Sequence, residues 1–108
     1  MSEIPIACNL GVFSDEEHAR YAVAVRQLGE ANLGVDDLPD GYSFRYPAGR
    51  TILLAIAEFV ALESRCCPFF DFEVSIPKNS GPVSLRIMGG KGVKPFIKEE
   101  LKVAPTRV

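Results

Sequence analysis

Hydrophobic and polar positions follow two rhythms along the chain, and each change of rhythm marks an element. Ile4, Ile6, Cys8 and Leu10 alternate with Pro5, Ala7 and Asn9, the pattern of a strand with one buried face, and Gly11 ends it. Ser14-Asp15-Glu16-Glu17 fits a capping box, with acids in the positively polarised first turn. It predicts a helix running to Leu28 or Gly29, with Tyr21, Ala22, Val25 and Leu28 as its apolar stripe. Leu33 to Leu38 and Tyr42 to Tyr46 flank Pro39-Asp40-Gly41, a turn sequence, and so predict a hairpin.

Arg50 to Arg65 carries the strongest helical periodicity. Ile52, Ala55, Ile56, Phe59, Leu62 and Cys66 share one stripe, and Glu58 and Arg65 lie off it. Pro68 cannot continue the helix and biases Cys67 away from helical geometry, so Cys66 and Cys67 belong at the helix C-terminus. A second hairpin follows, with Phe70, Phe72, Val74 and Ile76 on one strand and Val83, Leu85 and Ile87 on the other. Gly89-Gly90-Lys91-Gly92 breaks the pattern before a short helix around Pro95 to Leu101.

The order is β-α-β-β-α-β-β-α. Consecutive hairpins make neighbouring strands antiparallel, and the alternation implies one covered face. The expected fold is α+β: a two-layer sandwich, mainly antiparallel sheet with helices on one face, its core filled by Tyr42, Phe44, Tyr46, Phe70 and Phe72. A single domain over residues 1–108 suits the length, with 103–108 as a frayed tail.

Composition narrows the classes of function. At 47% hydrophobic residues the chain is too apolar for disorder. Twelve basic against fourteen acidic residues leave no surplus to neutralise phosphates, which argues against nucleic acid. The longest apolar stretch, Ile52 to Leu62, is interrupted by Glu58 and is shorter than the roughly 18 residues that span a bilayer, so no membrane partner is expected. Met1-Ser2-Glu3-Ile4-Pro5 lacks the basic and apolar regions of a signal peptide, which places the protein in the cytoplasm with its thiols reduced.

The three cysteines carry the candidate chemistry. They are too few for a disulfide framework, and buried cysteines commonly serve as small hydrophobes. The sharper reading is a metal or redox site. Cys8 lies on the inward face of its strand and Cys66 on the buried stripe of its helix, so Cys8, Cys66 and Cys67 are candidate ligands for a soft metal ion. A zinc-like site would need a fourth ligand, for which His18 and Glu63 are the candidates. Each also has an ordinary role, His18 as a packing residue and Glu63 as a solvated ion-pair partner.

No catalytic or cofactor-binding residue stands out. A helix C-terminus disfavours a thiolate, which argues against Cys66 or Cys67 as nucleophile. A 66–67 bridge is strained, because adjacent Cα atoms lie about 3.8 Å apart, below the usual disulfide window of about 4.4–6.8 Å. A bridge from Cys8 to either is less strained but needs an oxidising episode. The glycine-rich segment matches neither phosphate-loop pattern.

Two segments, Leu38-Pro39-Asp40-Gly41-Tyr42-Ser43-Phe44-Arg45 and Glu63-Ser64-Arg65-Cys66-Cys67-Pro68-Phe69, carry a resemblance. The chain resembles a family of small uncharacterised bacterial proteins that pair an L-P-D-G-Y-x-F hairpin with an E-x-R-C-C-P-F motif. Ile6 to Leu10 and Gly92 to Ile97 resemble them too, so the likeness touches most of the chain, and it implies no assigned activity. The leading expectation is a non-catalytic domain that binds a soft metal ion through its cysteines. The alternatives are a thiol-dependent redox or transfer enzyme, and an interaction module that forms a homo-oligomer through an open sheet edge or an exposed Phe69.

Overall fold

The computed structural model describes residues 8–101. A single-turn 3-10 helix at Leu10–Val12 leads into α1 (Asp15–Ala31), which begins with the expected capping box between Ser14 and Glu17. There follow β1 (Gly34–Leu38), β2 (Gly41–Tyr46), α2 (Arg50–Cys66), β3 (Asp71–Ser75), β4 (Val83–Met88) and α3 (Val93–Glu100). The strand expected over Ile4 to Leu10 lies mostly outside the described residues, and Leu10 at its end begins the 3-10 turn. The expected tail at 103–108 also lies outside them.

The four strands form one antiparallel sheet in the order β1-β2-β4-β3. Both expected hairpins are present, and β2 and β4 meet at the centre, pairing Phe44 with Leu85 and Tyr42 with Ile87. These four side chains, with Tyr46 and Val83, form the buried face against the helices. The other face is polar, with Arg45 paired to Asp36 and Arg86 to Glu73. The α+β class and helix–strand order follow the hydrophobic pattern. Among the described residues, no helix is long and apolar enough to cross a membrane.

Gly41 is required at the β2–β4 seam. A Cβ there would run into the Ile87 carbonyl oxygen and the Met88 Cα on the facing strand. The backbones therefore pack closer at this point than any side chain permits.

Several details differ from expectation. The inward stripe of α1 is Tyr21, Ala24 and Leu28, at helical spacings of three and four, while Val25 is 41% exposed. Small Ala24 lets α1 lie against α2, so contact geometry outweighs the greater hydrophobicity of Val25. On the edge strand β3 the alternation runs past the covering layer, which leaves Val74, and Ile76 just beyond the strand, exposed. Phe69 is not exposed: it is half-buried and packs edge-on against Phe70 and Phe96. Phe96 belongs to α3, which enters from Gly92 at φ 87° and buries Val93 and Ile97. α3 thereby covers the region just beyond the end of α2.

Candidate thiol and carboxylate site

The site is built on the last turn of α2. Residues three and four apart share a helix face, so Glu63 lies beneath both Cys66 and Cys67. The helix stops there because Pro68 follows; the Cys67 N–H donates to the Glu63 carbonyl at 2.7 Å and the Phe70 N–H to the Cys67 carbonyl at 3.2 Å. Pinned in this way, Cys66, Cys67 and Glu63 are at most 2% exposed.

Cys8 arrives from a segment far away in the chain. The Asn9 N–H donates to the Cys66 carbonyl at 2.9 Å, capping an otherwise open helix end. Arg65 secures the same segment, donating to the Val12 carbonyl, pairing with Glu17 and lying over the Phe13 ring. These contacts hold Cys8 beside the helix end, where it forms a disulfide with Cys67, their Cα atoms 4.8 Å apart. The expectation that all three thiols are reduced is thus corrected. The bridge is the less strained alternative to a 66–67 pair, and Cys66 remains a buried free thiol.

The Cys66 sulfur lies 3.4 Å from the Cys67 sulfur and donates to Glu63 Oε1 at 3.2 Å. The Tyr21 hydroxyl donates to the same oxygen at 2.9 Å. Tyr21 is held in turn by stacking on Phe59 and by a tilted contact with Phe13. Among the described residues, the ligand atoms of Cys8, Glu63, Cys66 and Cys67 all lie within 4.8 Å of one another. His18 is not in this group: it is exposed and sets its ring against Phe13.

Glu63 is not the solvated ion-pair partner of the ordinary reading. Burial raises its pKa, the hydrogen bonds from Cys66 and Tyr21 work against the rise, and the charge of Glu100 adds to it. Burial likewise pushes the Cys66 thiol up to about 12, reinforced by the hydrogen bond to Glu63 and by its charge. Tyr21 is raised by burial and by Glu63. Glu63, Cys66 and Tyr21 each favour the neutral form, because burial disfavours the charged one. Arg65 is the adjacent cation, and its guanidinium is turned toward Glu17.

A pH dependence follows from Glu63. Its folded pKa is raised, so the folded state holds the proton more tightly than the unfolded chain does. The stabilising contribution is complete below the unfolded value of 4.5 and is lost as pH rises through the folded value. Unfolding free energy measured in urea is therefore expected to fall across that window in the native chain and to change less in Glu63→Gln. Identical pH profiles would show that Glu63 does not titrate with this shift.

Comparisons with family models, with curated proteins and with solved structures find no match. The functional argument therefore rests on the site.

Two contributors were not legible as site residues. Tyr21 reads only as part of an apolar stripe, although a tyrosine on a buried face needs a polar partner and Glu63 supplies it. Arg65 gives no such signal, because Glu17 lies 48 residues away.

Proposed function

We propose that this domain binds a soft thiophilic ion through Cys8, Cys66 and Cys67 in their reduced state, with the Glu63 carboxyl beside them as a fourth donor. The observation that supports the reading is the convergence of three sulfurs and a carboxylate oxygen within 4.8 Å at a buried helix end. Thiolate sulfur selects soft ions over hard ones, and ligands already held by packing lose little freedom on binding. The Cys8–Cys67 bond must open first. Two electrons and two protons from a dithiol reductant convert it to two thiols, the reductant itself becoming a disulfide. Binding is thus a property of the reduced chain.

The test is titration of phosphine-reduced protein with Cd(II) and Hg(II), followed by thiolate-to-metal absorbance. Cys66→Ser/Cys67→Ser is expected to bind at least about 100-fold more weakly, beyond the 10–100-fold effect typical of outer-shell partners. Equal, weak binding by both proteins would sink the proposal.

The disulfide itself favours a second reading, thiol–disulfide exchange. Attack by the Cys66 thiolate on the Cys67 sulfur would form a 66–67 bond and release the Cys8 thiolate; attack on the Cys8 sulfur would release Cys67. Both need a thiolate that a pKa of about 12 makes scarce at neutral pH. Alkylation of the oxidised chain separates the readings. A label confined to Cys66 argues against exchange, and label on Cys8 or Cys67 supports it.

A further inference from the structure

The chemistry of the site restricts which soft species it suits. Among the described residues, the charged groups that bear on Cys66 and Glu63 are acidic: Glu63 itself and Glu100. Tyr21 contributes a neutral hydroxyl donor, and Arg65 is committed to Glu17 and to the Val12 carbonyl. A divalent ion on three thiolates leaves a net charge of −1, and of −2 if Glu63 ionises as well. Burying such a charge without a counterion is costly. A trivalent centre on three thiolates is neutral and needs no counterion.

Geometry agrees with charge. Tetrahedral bonds of about 2.3 Å, as for zinc and sulfur, set ligand sulfurs about 3.8 Å apart. A three-coordinate centre with a lone pair has bond angles nearer 90° and brings its sulfurs closer together. With the Cys8–Cys67 bond closed, the Cys66 and Cys67 sulfurs lie 3.4 Å apart, and the three sulfurs lie within 4.8 Å of one another.

We propose that the ligand is a trivalent thiophilic oxyacid of the M(OH)3 type, with arsenous acid as the probe, captured by Cys8, Cys66 and Cys67 as a neutral trithiolate. This rests on the thiol-ligation reading above. The capture exchanges three M–O bonds for three M–S bonds. Each thiol proton leaves with a hydroxide as water, three waters form, and no electron is transferred. Protonated thiols are therefore the correct reactants. Reduction of Cys8–Cys67 by a dithiol comes first. Glu63, which would serve a divalent ion as fourth donor, is not a ligand of the trivalent centre; with the Tyr21 hydroxyl it positions the Cys66 sulfur.

The full chain, reduced with a phosphine and freed of it under anaerobic conditions, is mixed with arsenous acid at neutral pH. Native mass spectrometry is expected to show a gain of one arsenic less three hydrogens. Counting of free thiols should fall from three to none, and a weakly buffered solution should show no proton release, whereas Cd(II) releases protons. Cys66→Ser should weaken binding about 100-fold or more, and Glu63→Gln should retain the three-sulfur adduct. One thiol left free in the native adduct, or undiminished binding by Cys66→Ser, would overturn the trithiolate. Because thiol counting uses the native chain, that outcome does not depend on a variant folding. Uptake of Cd(II) or Hg(II) by the thiols without uptake of arsenous acid would overturn this inference and leave the broader proposal standing. Failure of all three would overturn both.

Discussion

Opening the Cys8–Cys67 bridge is expected to cost about 4 kcal/mol of folding stability, the loop-entropy value for a closure of 59 residues. That is a large share of the roughly 5–15 kcal/mol by which a domain of this size is stable. At about 4–8 °C per kcal/mol, the thermal midpoint of the phosphine-reduced chain should drop by about 15 °C or more. Calorimetry of oxidised and reduced protein measures it, and Cys8→Ser should reproduce the drop without a reductant. An unmoved midpoint would mean that the closed loop constrains little. The effect bears on the proposed ion binding because opening the disulfide and weakening the fold are one event. A ligand at a thousand times its dissociation constant contributes about 4 kcal/mol to the state that binds it. A saturating ion should therefore restore most of the midpoint that reduction removes.

The second large effect belongs to Phe59. It is buried in α2 one turn before Glu63, and Tyr21 stacks on its ring with centroids 6.0 Å apart. Phe59→Ala is expected to lower stability by about 3–5 kcal/mol, through lost transfer free energy and the cavity left behind. The site should feel the change as well. Without its stacking partner, Tyr21 loses the support that aims its hydroxyl at Glu63 Oε1. Urea unfolding checks the first consequence. For the second, the pH dependence of stability in Phe59→Leu is compared with that of the native chain, the larger side chain preserving the fold. A profile unchanged in Phe59→Leu would show that the Phe59 ring does not position Tyr21.

Much of the architecture was legible because hydrophobic rhythm reports burial directly. In β2 and β4 the alternation of Tyr42, Phe44 and Tyr46 and of Val83, Leu85 and Ile87 survives intact, since both strands are central and fully covered on one face. The rhythm misleads where coverage ends, at Val74 on the edge strand and Ile76 just beyond it. It also misleads where packing distance decides, as when Ala24 rather than Val25 faces α2. The same limits apply to the site. The spacing of Glu63, Cys66 and Cys67 on one helix, and the stop at Pro68, were readable because they are local. That Glu63 is buried was not, since a glutamate beside Arg65 ordinarily ion-pairs in solvent. Arg65 instead reaches across to Glu17 and Val12.

Helix spacing alone puts two thiols and an acid at one helix end, and alternation puts a third cysteine on an apolar segment elsewhere. Their meeting comes from long-range contacts. The bond from the Asn9 N–H to the Cys66 carbonyl and the grip of Arg65 on Val12 bring Cys8 to Cys67 across 59 residues. Burial at that helix end then keeps Glu63 from ionising as a solvated carboxylate would. Local spacing follows from helix geometry alone, whereas long-range convergence and desolvation depend on contacts that no single segment encodes.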